Sequence, residues 1–311
     1  MIEEAWREFF DEAFLSRLER LRLVAKSALA RSRAGARRSR GLGDGLEFAD
    51  HRPYSPGDDV RFIDWPYYAR MEKLLLRLFH EHSEAGVGIL LDCSASMAPG
   101  GRLEKFHAAR RAAAALAYVA MSGGERVRLA PFAEDLGRPL RTGRNRAQFF
   151  HILEWMADLQ PADPRGAQSG TRLRHCTERF LQGGSPPSTV LILSDFLGCR
   201  EDLGPSLARL RLAGAAACAV HVFSPADAEP DLDGPLLLEN AEPPAGRPPA
   251  RLSLLVSPEV LQSYRRRWRD LCALFRRTCL SEGALYVPAP TDAPMDSGLL
   301  LALRQAGVVQ G

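Results

Sequence analysis

From about residue 84 onward, short apolar runs of strand length alternate with longer stretches in which apolar positions recur every three to four residues. The strand-like runs are 86–92, 126–132, 189–194, 216–223 and 284–287. The helical patterns between them cover 103–121, 146–159, 173–181 and 203–213. The strands are apolar throughout rather than alternating, which predicts burial on both faces. Strands and helices in alternation predict an α/β fold with a doubly wound, mostly parallel sheet. Asn145 is placed to cap one helix, and Gly123-Gly124 and Gly183-Gly184 to end two others. Two apolar runs, Leu236-Leu237-Leu238 and 252–256, flank a Pro- and Gly-rich connection. They predict a hairpin-like insertion at about 235–257. Ser257-Pro258-Glu259 then opens a long helix with Tyr264, Trp268, Leu271 and Phe275 as its apolar stripe. A last helix is expected around 299–305.

Before residue 84 the rhythm differs. Phe10, Phe14, Leu18 and Leu21 give a helical period with a basic opposite face, predicting an N-terminal helix. An Arg-, Ser- and Gly-rich connection follows over 31–45. Short extended segments are expected at 46–48, 60–65 and 74–81, with a turn at Ser55-Pro56-Gly57-Asp58. The chain thus reads as an appended α+β region, 1–83, and a main domain, 84–311.

Composition agrees with a globular chain: 311 residues, 46% hydrophobic and 25% charged. No apolar stretch reaches the roughly 18 residues of a membrane span. The N-terminus, Met1-Ile2-Glu3-Glu4, has no signal-peptide pattern, so a cytoplasmic location is expected. Cys93, Cys176, Cys199, Cys218, Cys272 and Cys279 show neither zinc nor redox spacing, so they are expected as reduced, mostly buried thiols. The net charge of +3 is concentrated in a basic segment between Arg17 and Arg40 and in a second cluster, Arg265, Arg266, Arg267, Arg269, Arg276 and Arg277. Solvated helix faces are the expectation for both, with nucleic-acid or anionic-surface binding through the N-terminal segment as the alternative.

The candidate chemistry lies where a buried run ends in Asp92-Cys93-Ser94-Ala95-Ser96. One carboxylate and two hydroxyls are hard oxygen donors of the kind that magnesium accepts, as do manganese and calcium. They are also residue types that cap helices and turns. A second apolar run, 189–194, leads into Asp195, and Thr171 sits in a polar loop before a helical pattern. Ligands of open α/β sheets bind beyond the carboxyl ends of the strands. Asp92, Ser94, Ser96, Thr171 and Asp195 can therefore share one crevice. A phosphatase using paired carboxylates needs an acid where this chain has Ser94, and neither a G-x-S-x-G elbow nor a P-loop occurs. A non-enzymatic role is expected. His80-x-His82-x-Glu84 reads as incidental strand residues, and Asp58, Asp59 and Asp64 as ion-pair partners of Arg52 and Arg61.

This constellation resembles the von Willebrand factor A domain and its metal-ion-dependent adhesion site. The resemblance implies Ser94 and Ser96 as direct magnesium ligands, Thr171 as a conditional one, and Asp92 and Asp195 acting through coordinated water. The site would dock an acidic residue of a partner. This chain has Phe196 where that class commonly has glycine. The segment from Gly45 to Trp65, with Tyr54-Ser55-Pro56-Gly57-Asp58-Asp59-Val60 at its centre, resembles the signature of the "domain of unknown function 58" family. Its members carry that segment before a von Willebrand A-like domain, commonly with Glu-Glu where this chain has Glu81-His82. The family resemblance implies a MoxR-type AAA+ ATPase as partner, and a role in assembling or activating a client protein complex.

Overall fold

The computed structural model describes residues 22–23, 47–55, 63–80, 86–143, 148–163, 170–243, 249–293, 298–305 and 308–310. Two compact units result, Arg33–Ala85, and Met1–Ser32 together with Gly86–Gly311. The sequence pattern divides the chain at 83/84; by contacts, the first segment of the chain groups with the main unit and not with Arg33–Ala85. Where described, that segment is a strand and not the expected helix. β1 (Arg22–Leu23) pairs antiparallel with β12 (Val309–Gln310). The rest of the expected N-terminal helix, and the basic segment apart from Arg22, lie outside the described residues.

In the smaller unit, β2 (Glu47–Pro53) pairs antiparallel with β3 (Leu75–His80), with a register shift between Phe48 and Asp50. Between them, α1 (Trp65–Met71) begins at Asp64, whose carboxylate accepts from the Tyr67 amide at 2.9 Å. Asp64 is therefore a helix cap. Extended structure was expected over 60–65; residues 60–62 lie outside the described ones, Ile63 makes a bridge to Leu76, and Asp64 and Trp65 already open the helix. Seven residues are too few for a helical period to stand out in sequence. Asp58, Asp59, Arg61, His82 and Glu84 lie outside the described residues, as does most of the expected turn.

The main unit holds a six-stranded sheet. Its strands are β4 (Gly86–Asp92), β5 (Arg126–Phe132), β6 (Leu140–Thr142), β7 (Thr189–Ser194), β8 (Ala216–Phe223) and β11 (Leu285–Pro290), in the order β11-β8-β7-β4-β5-β6. All neighbours are parallel except β5 and β6. The helices are α2 (Glu104–Ser122), α3 (Phe149–Ala157), α4 (Leu173–Gln182), α5 (Leu203–Leu212), α6 (Pro225–Ala228), α7 (Pro258–Ser281) and α8 (Leu299–Gln305). Alternate residues of β4 serve different layers. Ile89 and Leu91 pack with α2, α3 and α8, while Leu90 packs with Phe180 of α4 and Leu207 of α5. A Cβ at Gly88 would come within 2.9 Å of the Phe180 ring, so this strand needs glycine there for α4 to lie so close.

The apolar pattern placed these strands and helices within a few residues; β6 and α6 are too short to have produced one. The insertion is an antiparallel hairpin of β9 (Gly234–Glu239) and β10 (Arg251–Val256). The proposed cap Asn145 lies outside the described residues. All six cysteines are free, and five are buried. The arginine cluster of α7 is exposed, a solvated helix face as expected. No described helix is long and apolar enough to cross a membrane.

His221 on β8 is fully buried, and its Nδ1 lies 2.7 Å from the Tyr286 hydroxyl. Burial pushes its pKa down to about 4. The neutral ring is thus favoured by folding, so its contribution is complete above about pH 6.5 and is lost as pH falls toward about 4. From about pH 7 to about pH 4, wild type should lose about 3 kcal/mol relative to His221→Phe, which has no titrating ring. Urea unfolding of both proteins at the two pH values measures it, and a difference independent of pH would contradict the assignment.

Candidate functional site

Strand order reverses around β4, whose neighbours β5 and β7 lead away on opposite sides. That makes the carboxyl ends of β4 and β7 the place where a crevice opens. Asp92 ends β4 and Asp195 follows β7, so register alone brings the two carboxylates to one edge.

Local geometry fixes each donor. Asp92 Oδ1 accepts from the Ser94 amide at 2.8 Å, and its Oδ2 accepts from the Ser194 hydroxyl. Ser94 precedes a short 3₁₀ turn, Ala95–Met97, yet its side chain makes no capping bond. Its hydroxyl instead lies 3.1 Å from that of Ser96, which donates to Asp195 Oδ1 at 3.1 Å. The turn residues thus present hydroxyls to one another and to the second carboxylate. Asp92, Ser94, Ser96 and Asp195 form one connected and buried chain of oxygens. Thr171 joins through a residue not anticipated from sequence. Its hydroxyl lies 3.0 and 3.1 Å from the two carboxylate oxygens of Glu242, and Glu242 Oε1 also accepts from the Ser96 amide at 3.3 Å. All five anticipated residues therefore meet in one place, Thr171 by way of Glu242.

Lys105, in the first turn of α2, is the other unanticipated member. Its Nζ donates to Asp195 Oδ2 at 2.7 Å and lies 3.6 Å from Asp227. One ammonium thus faces a cluster containing two fully buried carboxylates. The Asp92 carboxyl is held above the usual carboxylate range, first by burial and then by the charge of Asp195. Cys93 and Cys199 are raised too, chiefly by burial, so both are neutral thiols and poor nucleophiles. Among the described residues, no group of three or more His, Cys, Asp or Glu side chains is set to hold a metal. The set at β4 and β7 is of another kind, hydroxyls mixed with carboxylates, as a hard cation accepts.

Phe196 directly follows Asp195, and its backbone adopts φ 54°, a conformation that favours glycine. That conformation costs a non-glycine residue about 1 kcal/mol or more. The ring is fully buried, 5.7 Å from Phe275 and 6.1 Å from His221, centroid to centroid, and this packing offsets the strain. Phe196→Gly should relieve the backbone but empty the core, for a net loss of roughly 2–4 kcal/mol. A chemical-denaturation midpoint equal to or above wild type would contradict that balance.

The sequence signal for Lys105 was present but faint, one of several charged residues in the first turns of a helix that is almost wholly apolar only from Ala112 onward. Glu242 gave no signal, being one acid in a Pro-rich connection.

Residues 50–246 match the family described as protein of unknown function DUF58. The chain belongs to this family. Uncharacterized proteins of Mycobacterium tuberculosis and Mycobacterium bovis are 29% identical to this DUF58 chain over 275 residues, spanning 86% of it and 83% of their own length. Among solved structures, the conserved hypothetical protein BatB from Bacteroides thetaiotaomicron covers 72% of the DUF58 chain and 98% of its own, at 15% identity and TM-score 0.42. An aerotolerance-related membrane protein from Bacteroides fragilis covers 71% and 98%, at 14% identity and TM-score 0.42. Superpositions this loose carry no argument about the DUF58 chain, whose fold is read from its own strand order.

Proposed function

We propose that this DUF58 protein is a non-enzymatic, cytoplasmic interaction module that docks an acidic residue of a partner through a divalent cation, magnesium in the first instance. The observation that carries the reading is the joining of Asp92, Ser94, Ser96 and Asp195 into one buried set, with Thr171 brought to it by a carboxylate. The donor set fits the ion. Hydroxyls leave a divalent cation under-neutralised, so it retains affinity for a further acidic oxygen. Two buried carboxylates beside a single ammonium leave a surplus of negative charge that the cation would offset. Ser94, Ser96 and Thr171 would hold the ion directly, and Asp92 and Asp195 would orient its water shell. When bound, the cation supplies a Lewis-acid contact for an incoming carboxylate.

A groove of about 570 Å³ lined by Cys93, Phe132, Ala133, Gln160 and Ala162 runs beside the end of β4 and gives a partner segment room next to the set. The von Willebrand A-like reading of the domain belongs to the same proposal, as does a MoxR-type AAA+ ATPase as partner in assembling or activating a client complex.

The test is capture of that ATPase by the full chain with magnesium, with EDTA, and with Asp92→Ala. EDTA and the substitution should each lower capture by at least about tenfold. Equal capture in all three sinks the docking proposal.

A further inference from the structure

Glu242 lies three residues beyond β9, in the connection of an inserted hairpin, yet its carboxylate reaches the ends of β4 and β7. Three features hold it there. Thr171 donates to the carboxylate, and so does the Ser96 amide. Asn240 clasps the backbone of Glu242 from both sides, accepting from its N–H and donating to its carbonyl, each at 3.1 Å. Third, Gly198 leaves the space: a Cβ at that position would lie 2.0 Å from Glu242 Oε2 and 2.8 Å from its Cδ. Among the described residues, the donors to this carboxylate, Thr171 and the Ser96 amide, are neutral, although it stands beside two buried carboxylates. Two like charges nearby should repel it, and a cation among all three would reverse that sign.

We propose that Glu242 is the site's internal acidic ligand: the chain docks its own hairpin onto the position that a partner's acid is to take. The inference rests on the docking reading above. It gives the β9–β10 insertion a role. The hairpin is the internal competitor, and a partner binds only by displacing it, which lowers the apparent affinity by the fraction of time the hairpin is docked. It also deepens the chemistry of the partner, which must present a carboxylate flexible enough to enter beside Gly198.

Two variants of the full chain test this from opposite sides. Glu242→Gln keeps the side-chain shape and removes the charge. Gly198→Ala keeps the charge and removes the space, at a backbone conformation that alanine can adopt. Manganese binding is titrated by electron paramagnetic resonance, and amide hydrogen exchange of residues 234–256 is followed by mass spectrometry with and without magnesium. In wild type, magnesium should slow hairpin exchange; in both variants the hairpin should exchange at least about tenfold faster and gain little from the metal. Manganese affinity should fall in Glu242→Gln by about tenfold. If wild type binds manganese and both variants match its affinity and its hairpin exchange, the internal-ligand inference is overturned while the docking reading stands. If wild type itself fails to bind manganese, the docking reading falls and this inference with it.

Discussion

Asp92→Asn should leave the metal-free protein as stable as wild type or more so, and should abolish its stabilisation by magnesium. Asp92 is fully buried, beside Asp195, and its carboxyl is held above the usual range. For an acid the raised folded-state pKa means that the group favours folding when protonated. That contribution is present at low pH and is lost as pH rises through the ordinary carboxylate range toward the folded value. Near neutrality a bare Asp92 is therefore a cost, and a neutral amide removes it. The amide keeps one acceptor for the Ser94 amide, and the Ser194 hydroxyl can turn to accept from it. With magnesium at about a hundred times its dissociation constant, wild type should gain about 2.7 kcal/mol, or roughly 5–10 °C in melting temperature. Asp92→Asn should gain nothing. Thermal unfolding with and without magnesium measures both halves. Equal magnesium shifts in the two proteins would show that the ion binds elsewhere.

Lys105→Met should produce the largest loss of stability at the site. The ammonium is buried against Asp195 and near Asp227, and methionine fills similar volume without charge. Removing one partner of a buried pair leaves an uncompensated charge, which costs about 3–5 kcal/mol and should lower the melting temperature by roughly 10 °C. The same change makes the cluster more negative, so magnesium should bind the variant more tightly and recover part of the deficit. Melting curves over a magnesium series test this. A deficit that stays constant across the series would mean that Lys105 and the ion do not share their carboxylates.

Much of the sheet was legible because burial on both faces writes an unmistakable pattern. Runs such as Val190-Leu191-Ile192-Leu193 admit few other placements, and the Asp that follows each of two such runs marks the crevice. That logic placed Asp92, Ser94, Ser96 and Asp195 together before any contact was known. Thr171 was legible as a loop donor, but not the carboxylate through which it joins the others. Glu242 reaches the set from a hairpin 146 residues beyond Ser96, and nothing local in a Pro-rich connection records such a contact. The helix α1 was missed because one stretch of seven residues carries too little periodicity to outweigh its Pro and aromatic content. Phe196 shows the reverse situation. Its residue type disfavours a positive φ, yet the backbone adopts φ 54° and the ring packs on Phe275, a contact that no local pattern records.

The central claim is that hydroxyls and carboxylates at the ends of β4 and β7 hold a divalent cation. Manganese titration by electron paramagnetic resonance of the full wild-type chain and of a Ser94→Ala/Ser96→Ala variant tests it most directly. Each alanine removes a single buried oxygen, and Asp195 keeps the Lys105 ammonium and the Leu197 amide as donors, so the variant should still fold. The account predicts one ion per wild-type chain and an affinity at least about a hundredfold weaker in the variant. Equal affinity in the two proteins, or no bound ion in wild type, would contradict it.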